Sequence, residues 1–264
     1  LRPDSAPAPA LAEAAQVAEE LAAMPEVDPG RAPVALVFDY QSAWAWDTQP
    51  QGADFDYFRL ALAFYRGLRK AGLSVDIIPP DTADLSRWKL VFVPGLMTLS
   101  EALRDAIAAA QTTVVAGPRT NSKTGEFSIP VPLPPALPGL DVVVDRVESL
   151  PPGSQVPLAG GGAFAHWFEH LDGPASVAQA TADGRPAMVA AGNLRYLAGW
   201  PDEAALGQMV RVLCEQTGVP TEDVPEGLRL RDTTTHRFAF NYAANPVTWQ
   251  GREIAPAGVE WWPL

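Results

Sequence analysis

Cysteine, basic charge and long apolar runs are all scarce in this chain of 264 residues. Cys214 is the only cysteine, so no internal disulfide can form, and a reducing compartment such as the cytoplasm is expected. The 19 Lys and Arg residues face 31 Asp and Glu residues, which gives a formal net charge of -12. Nucleic acids and anionic membranes bind basic surfaces, so neither is expected as a partner. No apolar run is long enough to cross a bilayer.

The first 31 residues have the pattern of a spacer, a helix and a linker. The chain begins Leu-Arg-Pro-Asp, with neither an initiator Met nor a signal-peptide layout, as expected of an interior fragment or a processed chain. Residues 3–9, PDSAPAP, are rich in Pro and Ala, which is typical of a spacer. Residues 11–24 carry apolar side chains at helical spacing and predict an amphipathic helix, and residues 24–31 then form a linker rich in Pro and Gly.

Residues 32–220 have the pattern of an α/β domain. Short apolar segments predict strands at residues 34–38, 75–78, 90–93 and 112–116. Because predicted helices alternate with them, we expect a mostly parallel sheet with helices on both faces. The order resembles class I glutamine amidotransferase-like and flavodoxin-like domains.

Capping side chains mark the predicted helices of this domain. Asp54, Ser100 and Asp202 are placed to accept hydrogen bonds from the first backbone N–H groups of helices. Gly72 and Gly218 stand where the first and last of these helices should end. Four side chains are expected to form the buried stripe of the helix after Asp54: Phe55, Phe58, Leu62 and Tyr65.

The second half of the chain predicts added β structure. A strand is expected at residues 142–147, and segments 187–190 and 194–197 flank Gly192-Asn193, a strong hairpin signal. Residues 221–227 are rich in acid, Pro and Gly and mark a second boundary. Residues 221–264 are then predicted to be a small antiparallel β domain, with strands at 228–231, 237–242, 247–250 and 259–262.

Two motifs have a chemical interpretation that their context disfavours. Residues 117–124, GPRTNSKT, are one residue from a phosphate-binding loop, but Ser122 replaces the second Gly and the Pro-rich segment that follows cannot be helical. An ordinary loop at a strand end is therefore expected. Residues 166–170, HWFEH, match the zinc pattern H-x-x-E-H, which works only on a helix. The bounding glycines and the aromatic content favour a strand instead, so no metal is expected.

The chain lacks the nucleophile that a class I amidotransferase activity requires. In the class I family a catalytic Cys sits in the turn after the strand that corresponds to residues 112–116, and this chain has Gly117 there, with no Cys, Ser or nearby His. Cys214 lies on the predicted buried face of the last helix, where it packs as a small hydrophobe. No cofactor is implied.

Two tryptophans follow the first strand of the domain. Trp44 and Trp46 are two residues apart, so in an extended segment over residues 41–52 their rings share a face, with Asp47, Gln49 and Gln51 beside them. Such a surface suits sugars. The alternative is structural: one Trp closes the top of the sheet and the other packs on the helix that starts near Asp54.

Several sequence blocks together resemble the C-terminal portion of glycoside hydrolase family 42 β-galactosidases. They are VALVFDYQSAWAWDTQPQGADFDYFR, LVFVPGLMTLS, GPRTNSKT, VESLPPG, GNLRYLAGWPD and GLRLRDTTTHRFAFNY. In that family an N-terminal (β/α)₈ barrel carries two catalytic Glu residues and retains configuration at the sugar. A trimerising α/β domain and a small C-terminal β domain follow the barrel.

The resemblance implies a non-catalytic, homotrimeric portion of a cytoplasmic β-galactosidase. Residues 1–31 resemble the end of the barrel, its closing helix and a linker; residues 32–220 resemble the trimerisation domain, and residues 221–264 the small β domain. No catalytic residue can be assigned. The helix at residues 11–24, without its barrel, should be frayed or re-docked. Trp44, Trp46, Asp47 and Gln49 are candidate substrate-binding residues, contributed to the sugar pocket of a neighbouring subunit.

A second hypothesis is a free-standing carbohydrate-binding or protein-interaction module of amidotransferase-like fold that uses the same tryptophans. An exposed aromatic platform that binds galactosides without a barrel would favour it. Trimers in solution with an apolar patch buried between chains would favour the oligomerisation portion.

We expect the chain alone not to hydrolyse β-galactosides, because no carboxylate pair stands out from the caps and linkers that explain its acidic residues. Purified chain should leave a chromogenic galactoside intact. Turnover that disappears when one carboxylate within residues 1–264 is changed would contradict this expectation.

Overall fold

The structure, a computed structural model, describes residues 1–24, 28–52 and 54–264. The helices of these residues are α1 (Leu11–Ala23), α2 (Tyr40–Thr48), α3 (Tyr57–Lys70), α4 (Glu101–Ala109) and α5 (Glu203–Thr217). The strands of the first half are β1 (Val34–Val37), β2 (Val75–Ile78), β3 (Leu90–Val93), β4 (Thr113–Ala116), β5 (Val143–Ser149), β6 (Val156–Pro157), β7 (Ala163–Asp172) and β8 (Ser176–Ala180). The remaining strands are β9 (Pro186–Ala191), β10 (Leu194–Leu197), β11 (Gly199–Pro201), β12 (Leu228–Asp232), β13 (His236–Asn241), β14 (Val247–Trp249), β15 (Arg252–Ile254) and β16 (Val259–Pro263).

A seven-stranded sheet in the order β2-β1-β3-β4-β10-β9-β8 organises the domain. Strands β1 to β4 and β10 are parallel, while β9 and β8 are added antiparallel. Along β1, Val34 and Leu36 enter one core, whereas Ala35 and Val37 enter the other. Because both faces are buried, the strand is apolar throughout, and the predicted mostly parallel sheet with helices on both faces is confirmed.

The two faces of this sheet carry different helices. Side chains of α3 and α5, such as Phe64 and Leu206, pack in one core. Leu103 and Ile107 of α4 pack in the other. Ser100 caps α4 by accepting from the N–H of Leu103 at 3.1 Å, and Gly218 ends α5 in a left-handed conformation.

A second sheet covers the first core. It has the order β11-β7-β5, with β6 beside β7. Its long strand β7 contains residues 166–170, so the strand predicted for this segment is confirmed. The hairpin predicted around Gly192-Asn193 is also present, as β9 and β10.

The small antiparallel β domain predicted at the C-terminus is confirmed. Strands β12, β13 and β16 form one sheet, and β14 and β15 form another, over a core that includes Leu230 and Trp249. The short strand β15 was not predicted. Ion pairs join this module to the α/β domain, including Lys70 with Glu226 at 3.1 Å.

The N-terminal helix forms but buries nothing. α1 matches the predicted helix within one residue, and none of its side chains is buried. The expectation that it would be frayed or re-docked is therefore wrong: it is a continuous helix whose Leu11, Val17 and Leu21 are exposed. Of the linker predicted at residues 24–31, residues 25–27 lie outside the described residues. None of the described helices is long and apolar enough to span a membrane.

The predicted start and the predicted buried face of α3 are both wrong in part. Asp56, not Asp54, caps it by accepting from the N–H of Arg59 at 2.7 Å. Phe58 and Leu62, expected inside, are exposed, whereas Phe55 is buried and Tyr65 packs against the core, as predicted. The buried side chains of the helix itself are Tyr57, Leu60, Ala61, Phe64 and Leu68. Arg59, Arg66 and Lys70 lie together on the opposite side of the helix, so the charges, rather than the apolar residues alone, mark the inner side.

Gly117 offers a test of how tightly β4 and β10 are joined. Its φ is +89°, and an added Cβ would lie 2.3 Å from the carbonyl oxygen of Leu197. Gly117→Ala should lower the free energy of unfolding by about 2–5 kcal/mol in urea denaturation, through backbone strain and the displaced strand. Gly125→Ala is the control, because no atom lies within 4 Å of the added carbon. Equal effects of the two changes would contradict this account.

Candidate functional site

The segment after β1 is a helix, so the prediction of an extended loop over residues 41–52 is wrong. Asp39 caps α2: its carboxylate accepts from the N–H of Gln41 at 3.1 Å and from that of Ser42 at 2.8 Å. Residues two apart on a helix are rotated by about 200° around its axis, so their side chains point to nearly opposite sides. Trp44 and Trp46 therefore do not share a face.

Trp46 is part of the core. It is 1% exposed, and its ring stacks on Phe55 with the ring centroids 4.3 Å apart. Its Nε1–H donates to the carbonyl of Gly95 at 3.1 Å, at the end of β3. This Trp closes the top of the sheet, as the structural alternative expected, and no exposed face remains for a sugar.

The other three candidate residues lie on the outside of α2. Trp44 is 65% exposed rather than packed on the helix after Asp54. Asp47 follows it by three residues on the same helical face, and Gln49 ends the helix; both are exposed. Gln49 also lines a cavity with Arg119. The structure thus leaves Trp44 and Asp47 exposed on one face of α2 and puts Gln49 at the end of the helix, beside the cavity at Arg119. Trp46 is separated from all three.

An exposed apolar surface joins α2 to α3. Phe38, half-buried at the end of β1, contacts the rings of Tyr40 at 5.1 Å and Phe58 at 5.4 Å. Trp44 and Leu62 extend the surface by one helical turn on each helix. We call the exposed residues Tyr40, Trp44, Phe58 and Leu62 the aromatic surface. Sequence reasoning missed it because Phe58 and Leu62 were assigned to the core.

A charged cleft borders the aromatic surface. A cavity of about 290 Å³ is lined by Leu62 and also by Asp54, Arg66, His166 and Trp200. His166 has a φ of +62°, and its ring packs at a tilt of 59° against Trp200, with the centroids 4.8 Å apart. Its Nδ1 shares a 2.7 Å hydrogen bond with Oδ2 of Asp54. The surface therefore has an apolar centre and a polar, charged border.

The loop after β4 does not have the geometry of a phosphate-binding loop. The backbone N–H of Gly117 donates to the hydroxyl of Thr120 at 2.8 Å. The N–H groups of Asn121 and Lys123 donate to the carbonyls of Leu96 and Met97, at 2.8 and 3.0 Å. These amides are occupied, and no helix follows the loop. It is the ordinary strand-end loop that was predicted.

The remaining motif residues have structural partners. His170 contacts Glu148 through Nε2, and it lies four residues from His166 along a strand. Within residues 1–24, 28–52 and 54–264, no three His, Cys, Asp or Glu side chains cluster as metal ligands would. Cys214 is buried on α5, and this burial raises the pKa of its thiol to about 11, as expected of a packing residue.

Comparison with known proteins places this arrangement in a family. A family model described as "Beta-galactosidase trimerisation domain" matches residues 32–220. A curated β-galactosidase of Thermus thermophilus is 43% identical over 253 residues, which are 93% of this chain and 39% of that protein. β-Galactosidase BgaA of a Thermus species is 45% identical over 254 residues, with the same shares. The chain thus spans about two fifths of the length of these relatives.

Two solved structures share both fold and sequence with the chain. The β-galactosidase of the psychrophilic Marinomonas ef1 superposes with a TM-score of 0.88 at 30% identity and covers 99% of this chain and 43% of its own. The β-galactosidase of the Antarctic haloarchaeon Halorubrum lacusprofundi gives a TM-score of 0.83 at 31% identity, over 98% of this chain and 43% of its own.

The two tryptophans of α2 should respond differently to substitution. Trp46→Ala removes a buried, stacked ring and should lower the free energy of unfolding by about 3–5 kcal/mol. Trp44→Ala, the matched control on the same helix, should change it by no more than about 0.5 kcal/mol. Urea denaturation of the two variants measures both. A large loss of stability in Trp44→Ala would show that this ring is buried too.

Proposed function

The chain belongs to the β-galactosidase trimerisation-domain family, and we propose that it serves a β-galactosidase as its non-catalytic, self-associating portion. The longer protein hydrolyses terminal β-D-galactosides through a separate barrel, acts in the cytoplasm and is a homotrimer. Residues 1–31 connect the barrel to the α/β trimerisation domain of residues 32–220, and residues 221–264 form the small β domain. The chain spans only 39% of the length of its Thermus thermophilus relative, which supports a separate catalytic part.

The aromatic surface carries the proposal. Four large apolar side chains stand exposed on α2 and α3, with the ring centroids of Tyr40 and Phe58 6.1 Å apart, and none of them belongs to the core of the domain. Contiguous exposed apolar patches with polar borders mark association sites, and aromatic residues are enriched at the centres of interfaces. Because the family is described as a trimerisation domain, we take a second copy of the chain as the partner.

Cyclic symmetry suits such a surface. In a ring of three subunits each chain uses one patch to contact a different patch of the next, and the contacts close on themselves. The aromatic surface provides the apolar side of this contact, and the cleft around Arg66 and His166 provides charged groups at its border.

Part of α2 extends this role to the substrate. Trp44, Asp47 and Gln49 lie on the outside of the helix, and we place them against the sugar pocket of the neighbouring barrel. An indole face suits the C–H face of a sugar, and the carboxylate and amide suit its hydroxyl groups. The fourth residue of the original set, Trp46, stays in the core and acts on this site only by holding α2 in position.

The free-standing sugar-binding module is less favoured. That hypothesis uses Trp44 and Trp46 together, and this pair is divided between core and surface. The rings that stay exposed, on Tyr40, Trp44 and Phe58, form one apolar surface with Leu62 across two helices, which suits a protein partner.

Oligomeric state tests the proposal. Phe58→Glu places a charge at the centre of the aromatic surface and should weaken association by about 2 kcal/mol or more per contact, which is about thirtyfold. Val177→Glu, at an equally exposed apolar residue on β8, is the matched control and should leave the trimer intact. Light scattering over a dilution series measures both. A wild-type chain that is monomeric at high concentration would refute self-association, and a trimer unaffected by Phe58→Glu would refute this surface.

The substrate role is tested in the longer protein that includes the barrel. Trp44→Ala should raise KM for a chromogenic galactoside by about tenfold, because a ring that contacts the sugar is lost. Tyr40→Ala is the control, since it removes a ring of the same surface, one helical turn from Trp44, that is not beside Asp47 and Gln49. If the two changes raise KM equally, the effect comes from assembly and the substrate contact is refuted.

A further inference from the structure

The side chain of Arg119 is buried without an anionic partner. It is 5% exposed, and it lies in the loop after β4. Within residues 1–24, 28–52 and 54–264, its Nε has no hydrogen-bond partner, and Nη2 contacts only Sδ of Met97, at 3.5 Å. A buried guanidinium with an unsatisfied N–H group is costly, because the charge has lost part of its hydration.

The nearest buried carboxylate is already engaged elsewhere. Oε1 of Glu169 accepts from the indole N–H of Trp167 and from the backbone N–H of Arg119, both at 3.0 Å. Oε2 accepts from the hydroxyl of Tyr196 at 2.7 Å. Burial raises the pKa of Glu169 and lowers that of Arg119. The carboxylate therefore makes no hydrogen bond with the guanidinium.

Aromatic rings fix the guanidinium in place. Its central carbon lies 4.9 Å from the ring centroid of Trp167 and 5.8 Å from those of Trp46 and Phe55. Cation–π contacts of this kind favour the charged form and hold its plane, but they use none of its N–H donors. Among the described residues, the N–H of Nε is therefore left without an acceptor.

A cavity of about 330 Å³ opens beside this group. Arg119, Trp167 and Glu169 are its buried lining, and Gln49, Lys123 and Arg146 are among its outer residues. Its volume is in the range of small-molecule sites, with aromatic walls and a few polar groups that converge. The outer cations add positive potential in a protein of net charge -12.

We propose that this cavity binds a small, free, hydroxylated carboxylate anion, with Arg119 as its anchor. A carboxylate accepts two parallel N–H bonds from a guanidinium and neutralises it. The amide of Gln51 and the hydroxyl of Ser122 meet the hydroxyl groups of the ligand. Glu169 and Asp145 also line the cavity, so a ligand of higher negative charge is repelled. This site is separate from the aromatic surface, so it stands or falls independently of the oligomerisation proposal.

Calorimetric titration of the chain with D-galacturonate and with D-galactose tests the site, because these probes differ only at C6. Galacturonate should bind with a Kd of about 1 mM or tighter, whereas galactose should bind at least tenfold more weakly. Arg119→Met should weaken galacturonate binding by about tenfold or more, because the bidentate partner is lost. Arg185→Met is the matched control: that guanidinium also stacks on a ring, Phe168, but lies outside the cavity.

Three results would overturn the proposal. The first is no heat of binding for galacturonate at about 10 mM in the wild-type chain. The second is equal binding by wild type and Arg119→Met. The third is an Arg119→Met variant that loses its trimers while free carboxylates fail to bind, because the guanidinium then holds a carboxylate of a second copy. If Arg119→Met does not fold by circular dichroism, Arg119→Lys keeps the charge and should still weaken galacturonate binding severalfold.

Discussion

The indole of Trp46 holds the carboxyl edge of the parallel sheet together. Its N–H is bonded to the carbonyl of Gly95 after β3, and its ring stacks on Phe55 before α3. An added Cβ on Gly95 would lie 2.9 Å from this ring, so a residue larger than glycine would displace the indole. Because the ring fills the centre, α2 must lie across the strand ends, and the outward side of α2 is then fixed as well. The exposed site thus depends on a residue that never reaches the surface.

Most of the fold could be predicted from local pattern. Buried parallel strands are short apolar runs, and caps such as Ser100 and Gly218 have a direct physical signal. α2 was missed because its residues YQSAWAWDT have no clear apolar stripe. Asp39, with Ser42 three residues later, was the available signal, since an acidic residue after a strand can cap a helix at once. The error changed the site, because it reversed the relation between Trp44 and Trp46.

α3 shows why surfaces are harder to predict than cores. Leu60 and Phe64 face the sheet, while Phe58 and Leu62 face outward, and the two pairs are equally apolar. A hydrophobic side chain is expected to be buried, but its hydrophobicity does not indicate whether the same chain or a partner chain buries it. The cavity at Arg119 has no local signal in the sequence for a related reason. The side chains around Arg119 come from β7 and from aromatic residues far away in the chain, so the loop sequence alone does not reveal them.

The topology also sets an order of events during synthesis. β4 pairs on one side with β3, but its other neighbour, β10, begins about 80 residues later in the chain. Until Leu197 has left the ribosome, the edge of β4 carries unpaired N–H and C=O groups on an apolar strand. Pairings over such sequence distances form slowly, and open strand edges promote aggregation. Nascent chains that end between β4 and β10 are therefore the ones most in need of a chaperone.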